Sequence, residues 1–515
     1  MKLKKTSIEW AIDHLVILSD TDLFPRPYEI DILNDIKADV VNKLSNTDIE
    51  NLSPGVSRKF IVPKDDLSYR IGTQLDPLDS IILASIIYEY GNLLEERRIP
   101  ESDKAVFSYR FNPDSQGHFY PTPNSWNNYW EHVYEESNNY KYALTLDISD
   151  FYNQIYHHSI ENVLVESNFP NQIKKWIMNL LGSITSKMSR GVPVGPHSIH
   201  LISESVLSSI DNSLVSRGIK FVRYVDDYIL FSNSEIDARK QVLIFAEILD
   251  KQQRLIVQNQ KTKILTSDEL KQLCSENIAD RPINDLEQNL LRIIKKHSGG
   301  DPYVIVHISD LSDDEINEFN ESTIAQIFEE YLKEDNPDYI RLRWILRRLS
   351  QVGHPDGITY LLKNIDRILP ALNDMFKYLV SIDNSSFSNW PDIGKELVEL
   401  SNSEVVKENS YYLLTIFSAF NRKPVINHYS SVLQRFNSVS PELKREIIFT
   451  ALENGCSDWL RELKESYRSF DPWNKRAFLI SSSQLPKEER LFFLKNNVES
   501  GNILEELISK WAKMR

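Results

Sequence analysis

Two adjacent carboxylates constrain this chain more than any other feature. Residues 221–231 read FVRYVDDYILF, so Asp226 and Asp227 stand between apolar and aromatic residues on both sides. That pattern predicts a β-hairpin with the acidic pair at its tip. Tight hairpin turns favour Gly or Asn, and two like charges side by side repel. A solvated Asp-Asp turn is one reading. A cation site is the other, because a hard divalent ion takes carboxylate oxygens together with substrate phosphates and offsets the repulsion. A further carboxylate elsewhere in the chain decides between them.

The stretch ALTLDISDFY supplies it. Asp147 closes an apolar strand, Ala143–Asp147, and helical character begins beyond Asp150. Taken alone, Asp147 reads as a helix N-cap. If its strand pairs with the hairpin, Asp147 and Asp226 are expected to face one another across a sheet. Carboxylates so placed can bridge two divalent ions of the kind that clamp attacking and leaving oxygens in phosphoryl transfer.

Four stretches, DISDFY, RGVPVGPHS, YVDD and KTKIL, occur in the order of the reverse-transcriptase palm motifs, and the chain resembles that family over roughly residues 55–270. The resemblance implies an α+β palm and fingers, an antiparallel sheet with helices, that adds deoxynucleoside triphosphates with two Mg²⁺ ions, for which Mn²⁺ can substitute. It implies that Asp147, Asp226 and Asp227 are catalytic and bind the metal, with the Ile148 carbonyl as an extra ligand. Lys64 and Arg70, in VPKDDLSYR, resemble fingers residues that meet the triphosphate; the planar fork of Arg suits phosphate oxygens. Tyr152, five residues past Asp147, matches the ring that blocks a ribose 2′-hydroxyl, a selection made by clash rather than attraction. Gly191 and Gly195 let the backbone approach the nucleotide closely, and Lys261 resembles the lysine near the triphosphate.

Two departures narrow the resemblance. Templated reverse transcriptases carry Pro-Gln-Gly where this chain has Pro193-Val194-Gly195, and no thumb is recognised after Lys263. The layout is similar to the abortive-infection reverse transcriptases of bacteria and prophages, the P2-prophage type above all, which join palm and fingers to a large helical-repeat domain. That similarity implies antiphage defence, DNA synthesis without a template, priming from a protein hydroxyl, a single-stranded DNA product attached covalently, homo-oligomers, and a phage or host factor as partner. Tyr28, in the exposed-looking FPRPYEI, is one candidate primer among 23 tyrosines.

Bulk properties agree with part of this. A chain of 515 residues exceeds one hydrophobic core. The expected division is fingers and palm over residues 1–270 and an all-α, HEAT-like repeat over 271–515, where amphipathic segments such as YIRLRWILRRLSQV follow one another with short polar breaks. The net charge of −15 excludes a general duplex binder, which needs basic surface to displace counterions. Two cysteines form no disulfide framework, no run is apolar enough to span a membrane, and a reducing cytoplasm is expected. Two rival functions stay open: a templated RNA-directed DNA polymerase, and a helical-repeat interaction protein with a relic palm.

Overall fold

The computed structural model describes residues 1–121, 125–277, 284–300, 304–333, 337–498 and 500–515. Packing divides the chain into two units, each drawn from three segments. The first comprises Met1–Asp22, Ile36–Ser57 and Thr73–Arg281, and the second Leu23–Asp35, Arg58–Gly72 and Pro282–Arg515.

The first unit is built on a four-stranded antiparallel sheet. Its strands are β3 (Tyr142–Asp147), β4 (Phe221–Tyr224), β5 (Asp227–Ser232) and β6 (Lys263–Thr266), in the order β4-β5-β3-β6; β1 (Arg58–Pro63) and β2 (Tyr69–Gln74) form a separate hairpin. The register of β3 on β5 runs from Tyr142↔Ser232 to Asp147↔Asp227. Successive side chains alternate between faces. Ala143, Val222, Ile229 and Phe231 therefore share one face, where they form a core with Tyr129, Trp130 and Val133 of helix Ser125–Glu136 and Leu270 and Cys274 of helix Ser267–Asn277. On the other face the Tyr228 ring lies 4.9 Å from Phe245 of helix Glu235–Gln253. Helices on both faces explain why ALTL and YILF read as continuous apolar runs instead of alternating ones.

Two long helices brace this sheet's surroundings. Helix Pro77–Glu95 starts on Asp76, whose carboxylate accepts from the Leu78 N–H at 3.1 Å, with Pro77 at the first position, where no N–H is needed. Helix Glu235–Gln253 starts on Ser234, whose Oγ accepts from the Asp237 N–H at 3.1 Å.

Three stretches differ from their sequence pattern, which reads as a strand over Lys104–Phe111, a Pro/Asn/Trp-rich loop to about Asn128, and a final short strand over RLIVQNQKTKIL, residues 254–265. Lys104–Phe111 is not a strand: it makes an isolated bridge, Val106↔Arg223, with left-handed backbone at Lys104 and Tyr109 (φ 50° and 46°). The carbonyls of Ser108 and Tyr109 accept from the Arg98 guanidinium at 2.7 Å instead of from a neighbouring strand. The loop expected to run to Asn128 gives way to helix at Ser125. The closing strand is confined to β6, because Asn259–Lys261 forms a short 3-10 turn.

The second unit holds the β1–β2 hairpin, helix Tyr28–Asp35 and the helices beyond residue 284. The hairpin turn is set by Asp65, whose carboxylate accepts from the N–H groups of Leu67 (2.9 Å) and Ser68 (2.7 Å). Beyond β6 the described residues contain helices and no strand. Helix Tyr339–Val352 packs on Leu372–Ser381, Ser410–Arg422 on Pro441–Glu453, and that helix on Pro472–Ser481. Glu29 is fully buried and accepts from both Arg445 Nη atoms, at 2.7 and 2.8 Å. Burial acts to raise its carboxyl, but Arg445 and Arg476 outweigh that and hold it at about 2. No helix of the described residues is long and apolar enough to cross a membrane.

Candidate active site

The three aspartates meet at one end of the first unit's sheet. Asp147 closes β3, and its register partner is Asp227, the first residue of β5. Asp226 does not face Asp147 across the ladder as expected. It occupies the second position of a two-residue turn, Val225-Asp226, and its carbonyl accepts from the Ile148 N–H at 3.3 Å. The sequence reading placed the turn one residue too late, because YVDD does not show which aspartate begins the return strand. Asp147 and Asp227 lie on the sheet face shared with Ala143 and Ile229.

Electrostatics at this end are unbalanced. Asp147 is buried and paired with the Lys261 ammonium, which arrives from the turn before β6. Burial, then the charges of Asp227 and Asp147, push the Asp226 carboxyl up to about 7. Asp227 is exposed, yet loss of hydration among the surrounding groups, then the charge of Asp147, pushes its carboxyl up to about 6. Burial lowers the Lys261 ammonium, but its bond to Asp147 and the charges of all three aspartates outweigh this and raise it. One cation thus faces three carboxylates. Among the described residues no group of three or more His, Cys, Asp or Glu is arranged to hold a metal ion by itself. An oxygen-only, open donor set is what Mg²⁺ takes when substrate phosphates and water complete its shell, and the residues fit such an ion.

A cleft of about 600 Å³ opens beside Asp147 and Asp227. Its walls include Trp126 and Trp130 of helix Ser125–Glu136, Lys261 of the turn before β6, Lys263 of β6 itself, and Gln272 and Glu276 of helix Ser267–Asn277.

The Gly/Pro loop is anchored as its residue types suggest. Gly195 has φ +133°, and a Cβ there would stand 2.9 Å from the Thr21 hydroxyl and 3.3 Å from the Thr73 carbonyl. The Thr73 N–H donates to the Val194 carbonyl at 2.9 Å, and the Val192 N–H to that of Tyr152 at 2.9 Å. Tyr152 is half-buried, and its hydroxyl lies 2.8 Å from His200 Nδ1. The Tyr109 ring stacks on His200 at 4.0 Å and 5°. Burial and the neighbouring His197 pull His200 down to about 3, so its ring is neutral near pH 7. Tyr152 is therefore held by a rigid, uncharged partner, and burial raises its own hydroxyl well above the ordinary value.

Lys64 and Arg70 lie on the β1–β2 hairpin in the second unit. Tyr28 is half-buried there, which corrects the exposed reading: its ring stacks on Phe449 at 4.2 Å, Arg422 lies over it at 3.8 Å, and its hydroxyl donates to the Asn421 carbonyl at 3.2 Å.

Sequence reasoning missed the ionic network beneath the turn. Arg223, with no exposed surface, donates to both Asp211 oxygens (3.0 and 2.7 Å) and to Glu204 (2.8 Å). Arg98 and the Ser108 hydroxyl also donate to Glu204, at 2.8 and 2.6 Å, and the Tyr228 hydroxyl to Asp211 at 2.9 Å. The available signal was an Arg inside the apolar strand FVRY, together with two acids seven residues apart on helix His197–Ser216, which carries no other Asp, Glu, Lys or Arg.

Comparison with known proteins places part of the chain in a family. Residues 85–286, well under half of the chain, match the family described as reverse transcriptase (RNA-dependent DNA polymerase), and this stretch is a reverse-transcriptase domain. It contains all three aspartates. Similar solved structures include telomerase of Candida albicans, in complex with a fragment of telomeric RNA, at 13% identity and TM-score 0.31, covering 73% of this chain and 70% of that one. Apo telomerase of Candida tropicalis is similar at 11% identity and TM-score 0.30, covering 75% and 74%. No curated protein sequence matches significantly.

Proposed function

We propose that this chain is a metal-dependent DNA polymerase of reverse-transcriptase fold that adds deoxynucleotides to a protein hydroxyl, and then to the growing strand, without a template. The observation that carries the reading is the meeting of Asp147, Asp226 and Asp227 at one end of the sheet, with a cleft beside Asp147 and Asp227 and Lys261 as the paired cation. In each cycle a hydroxyl oxygen forms a bond to the α-phosphorus of a deoxynucleoside triphosphate, the bond to pyrophosphate breaks, and the hydroxyl proton leaves to water. Bound divalent ions, Mg²⁺ or Mn²⁺ held by the three aspartates with the Ile148 carbonyl as a further donor, supply charge stabilisation for the attacking and leaving oxygens. The chain's own residues present the carboxylates at two strand ends and the turn beside them, keep Lys261 beside Asp147, and hold the Tyr152 hydroxyl against His200. Lys64 and Arg70 take the role of triphosphate contacts.

Three features favour untemplated synthesis. The loop carries Val194 where a glutamine amide would contact a templated pair. The helix that follows β6, SDELKQLCSEN, is acidic and packs on the sheet, so it offers no basic cradle for a duplex. The cleft beside the aspartates has the volume of a site for one small ligand, and its Trp126 suits a stacked base of a single strand. Antiphage defence, homo-oligomers, a phage or host trigger and a cytoplasmic location complete the proposal; the join of a reverse-transcriptase domain to a helical unit supports them.

Protein priming is tested by mass. Protein purified from cells, or incubated with deoxynucleotides and Mg²⁺, is expected to carry DNA that DNase removes and RNase does not. An unchanged mass after DNase, with free DNA in solution, would refute covalent attachment.

Sugar selection has its own test. Replacing Tyr152 by Ala removes the obstructing ring, and ribonucleotide use is expected to rise roughly tenfold or more relative to deoxynucleotides in direct competition. An unchanged ratio returns Tyr152 to plain core packing.

A further inference from the structure

The turn that bears Asp226 has an unusual backbone. In a two-residue hairpin turn, a left-handed first position normally belongs to Gly. Here that position is Val225 at φ +54°, between the paired residues Tyr224 and Asp227. A β-branched residue in this region is a genuine outlier, and it persists only where the surroundings over-determine it.

Those surroundings converge on one buried carboxylate. The Val225 N–H donates to the Ser108 hydroxyl at 2.9 Å, and that hydroxyl donates to Glu204 Oε1 at 2.6 Å. The Val225 carbonyl accepts from Arg223 Nη1 at 2.8 Å, and the same nitrogen donates to Glu204 Oε2 at 2.8 Å. Both peptide groups of the strained residue are thus tied, through Ser108 on one side and Arg223 on the other, to the two oxygens of Glu204. Ser108 has no exposed surface, Arg223 none, and Glu204 1%. Asp211 fixes the far side of the Arg223 guanidinium, and Arg98 braces Glu204.

We propose that Ser108, Glu204 and Arg223 form a clamp of positioning residues that holds Val225 left-handed and so presents Asp226 and Asp227 as one divalent-cation site. The proposal rests on the function proposed above. None of the three needs to touch substrate or metal. The clamp acts through the backbone of residue 225, and that gives it a signature separate from ordinary core packing: it matters while residue 225 resists the left-handed conformation, and much less once that residue is Gly, which adopts it freely.

The test is a double-mutant cycle on the full chain, with Ser108→Ala and Val225→Gly separately and together. Mn²⁺ binding, followed by the electron paramagnetic resonance of the free ion, and deoxynucleotide incorporation are both measured. Ser108→Ala is expected to weaken Mn²⁺ binding and lower kcat by about tenfold, with KM changed by less than about threefold, the pattern of a loosened catalytic group. In the Val225→Gly background the same substitution is expected to cost less than about threefold. Ser108→Thr keeps a hydroxyl and is expected to restore most of the loss. Equal losses in both backgrounds, or Mn²⁺ binding untouched by Ser108→Ala, overturn the clamp. Failure of wild-type protein itself to bind Mn²⁺ overturns the proposed function instead, so the two failures are distinguishable.

Discussion

Asp226→Asn is expected to reduce deoxynucleotide incorporation by at least about 10²–10³-fold, the scale of losing one preorganised charge at a phosphoryl-transfer site. The substitution keeps shape and removes one negative charge from a cluster whose members repel. Loss of hydration first, and that repulsion second, push the carboxyls of Asp226 and Asp227 up to about 7 and about 6. Relief of it means that the variant is expected to melt no lower than wild type, so lost activity cannot be ascribed to lost folding. Incorporation at the wild-type rate with millimolar Mg²⁺ would remove Asp226 from the site.

Arg223→Met has the largest expected effect on stability. The guanidinium sits with no exposed surface between Glu204 and Asp211, each 1% exposed, and makes a bidentate pair with the second. Removing one partner strands buried charge, at a cost of roughly 3–5 kcal/mol. Against a typical domain stability of about 5–15 kcal/mol, that is a large fraction. Chemical denaturation is expected to show the midpoint fall accordingly, or the protein to be insoluble. Arg223→Lys is expected to recover little, because an ammonium cannot engage two Asp211 oxygens and Glu204 in the fork geometry. A variant within about 0.5 kcal/mol of wild type would show the network to be worth no more than an ordinary surface pair.

What was legible in the sequence was what short-range pattern encodes. An apolar run broken by two aspartates has few uses, so the hairpin and its association with strand Ala143–Asp147 could be read directly, as could the helical character beyond residue 270. What pattern does not encode is which atoms a polar residue meets. KAVFSYRF looks like a strand, yet its carbonyls serve Arg98 and its Ser108 serves the turn. FPRPYEI looks exposed, yet Phe449 and Arg422 cover Tyr28 from far along the chain. Glu204 and Asp211 look like the polar side of an amphipathic helix, and only the arrival of Arg223 from another element makes them interior. The position of the turn failed for a subtler reason. It depends on Val225 taking a conformation that its own side chain disfavours, and no local rule selects that.

The most direct measurement of the central claim sequences the product. Purified, nuclease-treated protein is given all four deoxynucleoside triphosphates and Mg²⁺, with homopolymer templates of different base added in parallel. Synthesis by the aspartate site without a template means that product appears in every reaction, including the one with no added nucleic acid, and that its base composition is the same in all. A product whose composition switches to complement each homopolymer, and which is missing when none is added, would contradict the account and make the chain a templated polymerase.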